Sequence, residues 1–419
     1  MMKAHARPTH SLFVLLLLGI LAPPLHAGAL SKRARLFPVG PNPSAIAAKD
    51  LNGDGLPEII TADRGPMTDP REERPANDEL SLLIAQDALD YVRHHPSLKT
   101  GFAPYDIALA NIDALKWPDI IVAGFMAVRH RDISLFLNIK HENLFKPVEF
   151  RIPDEALSYC RFKDGDGVPL FTVPGLTAIA VSDLNHDGLR DLIATGWSCD
   201  VLVFLPGHAQ TYFGTPQFIP AAGAPVDIEL ADFDADGYTD LAVALYATGE
   251  IALFKGDAQA QYREVGRFPT RGRLPTKLKV SDINDDGRAD LIVSHCHTDD
   301  AIVVFYGDGA FSFSVSQEIV LGSDREVLEH EIRDLAVADF DGNQRPDIAA
   351  ACYASGRVAV LLNQTEDRAR SRDFREESYS FEKARPRALC VADFDRNGRD
   401  DLAVALWDAD AVGLLLGTE

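Results

Sequence analysis

Short apolar runs rich in Val, Ile and Leu recur along the chain, and each is too brief for a helix and too regular for a loop. They come in sets of three. A strand-like segment (AIAA, IALA, AIAV, IELA, LKV, LAVA or LCVA) leads into a carboxylate-rich loop, which is followed by a second run (EIITA, DIIVA, DLIAT, DLAVA, DLIVS, DIAAA or DLAVA). A third run (LSLLI, ISLFL, VLVFL, IALFK, IVVFY, VAVLL or VGLLL) completes each set. The cassette occurs seven times, with loops beginning at Asp50, Asn111, Asp183, Asp232, Asp282, Asp339 and Asp393.

A unit of roughly 50 residues with three clear strands and a weaker fourth has the size of one four-stranded propeller blade. The pattern predicts an all-β, seven-bladed β-propeller of antiparallel blades occupying 28–419 as one domain. The last cassette stops after its third strand at Ala411 to Leu416, while a surplus segment, Ala34 to Val39, precedes the first loop. An N-terminal strand closing the last blade would hide two sheet edges, so Leu36 and Phe37 are expected to pair with the Leu414 region.

The loops place oxygen side chains at positions 1, 3, 5 and 9, usually with glycine at 6. That spacing lets a tight turn wrap side-chain oxygens and the position-7 carbonyl around a hard cation. The expected donors are Asp50, Asn52, Asp54, Leu56 (through its carbonyl) and Glu58; Asp183, Asn185, Asp187, Leu189 and Asp191; and Asp232, Asp234, Asp236, Tyr238 and Asp240. The remaining loops supply Asp282, Asn284, Asp286, Arg288 and Asp290; Asp339, Asp341, Asn343, Arg345 and Asp347; and Asp393, Asp395, Asn397, Arg399 and Asp401. Position 12 holds Thr61, Ala194, Val243, Val293, Ala350 or Val404 instead of the Glu of an EF-hand, and strands rather than helices flank each loop. The loop from Asn111 to Asp119 lacks the position-5 oxygen and the glycine, and is read as a turn without metal. Gln344 replaces the glycine of the sixth loop. All-oxygen donors favour Ca2+, in up to six structural sites.

The net charge of −22 argues against nucleic acid as a partner, because phosphates would meet repulsion. Calcium would relieve that charge where it is most concentrated. Residues 1–27 carry Lys3 and Arg7, an apolar run from Leu12 to Ala22 and a small-residue end, and are read as a signal peptide cleaved after Ala27 or Ala29. The run has about half the length a membrane span needs. The mature chain is expected to be secreted or periplasmic, with no membrane span.

Repeats of D-x-[DN]-x-[DN]-G-x-x-D flanked by β runs, with Gly-Phe-Ala-Pro at 101–104, Gly-Ala-Pro at 223–225 and Tyr-Gly-Asp-Gly-Ala-Phe at 306–311, resemble the FG-GAP and VCBS repeats of integrin α-chain propellers and many bacterial exported proteins. The resemblance implies seven blades, calcium between the first and second strands of a blade, and ligands on the opposite face. Adhesion modules, lectins and some polysaccharide lyases share the architecture, so the fold does not choose among them.

Strand parity places the two longest insertions, 63–79 and 153–176, on the face away from the loops. That face also receives the ends of the second strands, bearing Arg64, Arg129, His130, Trp197, Tyr246, His295, His297, Tyr353 and Trp407 as candidate ligand-binding residues. A zinc or copper site at His295 and His297 lacks a defined third ligand. A further cation turn at Lys163 to Gly167 and a bridge between Cys160 and Cys199 are possible by location alone. No G-x-S-x-G, H-E-x-x-H, phosphate loop or G-x-G-x-x-G occurs. The expected function is non-catalytic binding of a glycan or an extracellular or periplasmic protein. A polysaccharide lyase or hydrolase on the same face is the alternative.

Overall fold

The computed structural model describes residues 28–65, 77–101, 103–113, 115–125, 132–139, 145–160, 163, 165, 174–296, 301–322, 331–365, 373–381 and 384–418. The expected signal peptide lies outside the described residues, as do Arg129, His130, His297 and the middle of both insertions. Among the described residues no helix is long and apolar enough to cross a membrane.

Seven antiparallel blades form a ring. Blade 1 is Pro43–Lys49, Glu58–Asp63, Glu79–Asp87 and Asp90–Arg93, with Leu98–Lys99 paired beside the third strand. Blade 2 is Pro104–Ala110, Asp119–Gly124, Ile133–Asn138 and Phe145–Phe150, and blade 3 is Leu176–Ser182, Asp191–Gly196, Val201–Leu205 and Gln217–Pro220. Blade 4 comprises Pro225–Ala231, Asp240–Leu245, Glu250–Lys255 and Arg263–Pro269; blade 5 comprises Pro275–Ser281, Asp290–His295, Ala301–Tyr306 and Val315–Val320. Blade 6 comprises Ile332–Ala338, Asp347–Cys352, Arg357–Asn363 and Phe374–Ser380. Blade 7 takes Pro386–Ala392, Asp401–Leu406 and Ala411–Leu415 from one end of the chain and Arg35–Pro38 from the other. Leu36 pairs with Gly413 and Phe37 with Val412, as the closure argument requires. Upstream, the Leu30 amide donates to the Tyr379 hydroxyl at 3.0 Å, and Ser31 N–H donates to Leu416 O at 2.7 Å.

The second strands explain their own composition. Successive side chains point to opposite faces of a blade, and both faces are covered by neighbouring blades. Ile59 therefore enters the apolar cluster between blades 7 and 1, and Ile60 the cluster between blades 1 and 2. Leu402 and Ala403 divide in the same way between the 6–7 and 7–1 contacts. An apolar cluster fills each of the seven blade-to-blade contacts, so the core is a ring and not a single centre.

Every inner strand has a register shift just after its first residue. Such bulges re-aim side chains. Beside the bulges of blades 2, 4 and 6, Asp106, Asp227 and Asp334 accept the backbone N–H groups of Ile179 (2.9 Å), Leu278 (2.7 Å) and Leu389 (2.8 Å) in the next blade. Lys277 Nζ pairs with Asp227 at 3.0 Å along the same inner wall. In the second insertion a short 3-10 helix, Asp154–Tyr159, leads to Cys160, which is disulfide-bonded to Cys199 in the turn after the second strand of blade 3.

Candidate functional site

The acidic turns are organised by their own backbone. In the third blade the position-1 carboxylate of Asp183 accepts the N–H groups of Asp187 and Gly188, both at 3.0 Å, and Asp187 accepts that of Leu189 at 2.8 Å. Positions 4 and 6 both take left-handed conformations, as at His186 (φ 59°) and Gly188 (φ 86°). Gln344, in place of glycine, is held there at φ 65°, a conformation that disfavours side chains. The requirement at position 4 was not visible in the sequence, because Gly, His, Ala, Asp and Arg all occupy it.

Position 9 does two jobs. Asp240 accepts Phe233 N–H at 2.9 Å through one oxygen and Gly256 N–H at 2.9 Å through the other, stapling the turn to the end of the third strand. Asp290, Asp347 and Asp401 repeat this arrangement. The loop read as metal-free keeps it: Asp119 accepts Ile112 N–H and Asn138 N–H, both at 2.8 Å. Burial raises the position-9 carboxyls against these hydrogen bonds, with neighbouring carboxylates adding to the rise, to about 7 at Glu58, Asp290 and Asp347 and about 6 at Asp240 and Asp401. In the second loop Trp117 packs its ring on Gly53 of the first, where a Cβ would lie 1.9 Å from a ring carbon.

In three turns, carboxylate oxygens converge within 4.8 Å and could hold a metal ion: Asp232, Asp234 and Asp240; Asp339, Asp341 and Asp347; and Asp393, Asp395 and Asp401. The loops at Asp50, Asp183 and Asp282 have asparagine at position 3, so an amide supplies that oxygen. The donor set is all oxygen, which fits a hard divalent cation. In the fourth blade Lys255 Nζ already pairs with Asp234 and, at 2.6 Å, with Asp236.

At the opposite end of the ring axis lies a cup of about 250 Å³. Arg64, Phe125, Trp197, Tyr246, Tyr353 and Trp407 reach it from the ends of second strands. Tyr105, Thr177, Val226, Thr276, Arg333 and Arg387 reach it from the second residues of inner strands. The structure thus brings together Arg64, Trp197, Tyr246, Tyr353 and Trp407 of the residues named from sequence. It adds the inner-strand ring, for which the opening proline was a signal at Tyr105, Thr276 and Arg387, whereas Thr177 and Arg333 follow Leu176 and Ile332, and Val226 is apolar. His295 departs from the expectation. It is still inside its strand, 1% exposed, with Gly272 lying against its ring and Nδ1 3.2 Å from Ala301 O, so it does not open into the cup.

Around the rim, the rings of Tyr105 and Phe125 lie 5.3 Å apart and those of Phe125 and Trp197 5.8 Å apart. The Arg64 guanidinium lies 5.3 Å from both the Tyr105 and the Phe125 ring centroids. Arg387 donates to the Tyr105 hydroxyl at 3.3 Å. Burial pushes the Tyr105 phenol up, but Arg387, Arg64 and Arg333 outweigh it and hold the group below its ordinary value. Deeper in the axis, Ser44, Asp106, Lys277 and Asp334 line a second, smaller cavity of about 60 Å³.

Seven four-stranded blades around an axis, with acidic turns at one end and a cup at the other, define a seven-bladed β-propeller. Residues 183–243, 282–350 and 339–404 match the FG-GAP-like repeat. No curated protein matches its sequence. Among solved structures it is similar to BBS1N, determined in complex with ARL6DN (TM-score 0.60, 14% identity, covering 93% of this chain and 98% of that one). It is also similar to a putative 6-phosphogluconolactonase from Bacteroides uniformis (TM-score 0.55, 13% identity, 81% and 87% covered). A protein from Lactobacillus plantarum gives a TM-score of 0.53 at 10% identity, with 81% and 84% covered. At these identities the likeness is one of fold.

Proposed function

We propose that this chain is an exported, calcium-stabilised propeller that binds a glycan or protein partner without catalysis, in the cup remote from the acidic turns. The cup carries the reading: it gathers aromatic rings and guanidinium groups, the side chains that stack on and anchor ligands. Its volume is slightly below the roughly 300–1,000 Å³ of drug-sized ligand pockets, which suits one ring or side chain of a larger ligand. Export is supported by the apolar stretch of residues 12–22 and by the disulfide between Cys160 and Cys199, since such bonds persist in oxidising compartments. Calcium is supported by the oxygen-only turns. The test is a glycan array in the presence of calcium, repeated with Trp197→Ala and Trp407→Ala. Binding that these changes weaken at least tenfold, with unaltered melting, is the expected result. Binding that ignores both would place the ligand elsewhere.

One observation favours the second reading, a carbohydrate-active enzyme. The Tyr105 phenol is held below its ordinary value among three guanidinium groups, which is how a proton-transferring group is prepared. Turnover assays on polysaccharides with wild type and Tyr105→Phe decide it: product formation abolished by the substitution would establish catalysis.

A further inference from the structure

Resting on the reading of the cup as the ligand site, we propose that its ligand is an acidic sugar, with a uronate carboxylate held between Arg64 and Arg387. The chain as a whole is strongly acidic, at −22, yet the charged side chains at the mouth of the cup are all arginines. Arg333 is neutralised by Glu331 at 3.1 Å. Among the described residues, Arg64 and Arg387 have no carboxylate within ion-pairing distance. Both lie against one ring, with guanidinium carbons 5.3 Å and 5.6 Å from the centroid of Tyr105. Two like charges converging at a half-buried site destabilise one another, and an anion between them removes that cost.

The nearest acids below do not serve. Asp106 and Asp334 each accept a backbone N–H of the next blade and act on the charge of Lys277, and among the described residues neither forms an ion pair with Arg64 or Arg387. A planar carboxylate suits paired guanidinium donors, and Trp197, which also lines the cup, brings an indole ring to the sugar that carries it. Rings beside a carboxylate favour a uronic acid over an acidic peptide, whose side chains would bring the charge without the ring.

The experiment is titration calorimetry of the calcium-loaded full chain with oligomers of galacturonate, mannuronate and glucuronate. Each is offered as free acid and as methyl ester, alongside a sulfated galactan oligomer and a glutamate-rich peptide. The expected result is binding of at least one free acid, with its ester at least tenfold weaker. Arg64→Gln and Arg387→Gln should reduce the acid to the level of the ester, and Arg64→Lys should retain part of the affinity. Melting curves confirm that each variant is folded. Equal binding of acid and ester, lost together in Trp197→Ala, would overturn the acidic assignment while leaving the glycan reading intact. Tighter binding of the sulfated oligomer would overturn the carboxylate. Binding of the peptide alone would overturn the sugar and leave a protein partner in the cup, and binding of no probe at all would overturn the acidic ligand while the glycan array decides the reading of the cup.

Discussion

At the scale of single residues, the carboxylates of this propeller fall into distinct roles that their spacing alone does not separate. Asp119 sits in a turn that lacks the cation pattern, yet both its oxygens accept buried N–H groups. Asp119→Ala should cost about 2–5 kcal/mol in denaturant unfolding, because two buried donors lose their partner, and should leave any calcium response unchanged. Asp63 is a third kind of acid. Burial raises it to about 6, against hydrogen bonds from Ser81, Thr61 and Gly40. A carboxyl raised in the folded state favours folding while protonated, so this contribution is present at low pH and is lost as pH rises through about 6. Urea midpoints measured from pH 4 to 7 in saturating calcium should show a decline of on the order of 2–3 kcal/mol that is absent in Asp63→Asn. The sequence revealed the oxygens at positions 1, 3, 5 and 9 by their repetition. It concealed the staple at position 9, since a metal ligand and a backbone acceptor call for the same side chain.

At the scale of elements, the edges decide stability. The strand Arg35–Pro38 covers the open edge of blade 7, and just before it Leu30 is 1% exposed within the cluster between blades 6 and 7. Leu30→Ala should cost about 2–5 kcal/mol, while Leu36→Ala, at a side chain 59% exposed, should stay within about 0.5 kcal/mol. Equal effects from the two would show that the segment is not seated as described. Closure was legible because a strand was missing at one end and spare at the other. The bonds from Asp106, Asp227 and Asp334 to the next blade were not. They occur in alternate blades, so no repeat-by-repeat comparison exposes them, and they depend on bulges that the apolar pattern does not mark.

At the scale of the whole molecule, acidic turns at one end of the axis and arginines at the other make a ring with a sense of direction. If calcium occupies the turns, chelation should lower the melting temperature by several degrees, and calcium should restore it more effectively than magnesium, whose octahedral demands such turns meet poorly. An unchanged transition would remove metal from the account. The cup was half legible: Arg64, Trp197, Tyr246, Tyr353 and Trp407 follow from counting strand ends, whereas Tyr105, Arg333 and Arg387 needed the inner strands to be placed in space. The seam has one more consequence. The Thr418 hydroxyl meets the carbonyl of Gly28 across 390 positions of chain, and the strand Arg35–Pro38 waits for Ala411–Leu415 before the final sheet is whole. Until the far segment arrives, two unpaired borders stay open to other molecules. Assembly is therefore exposed to edge-to-edge mispairing until the last strand is seated.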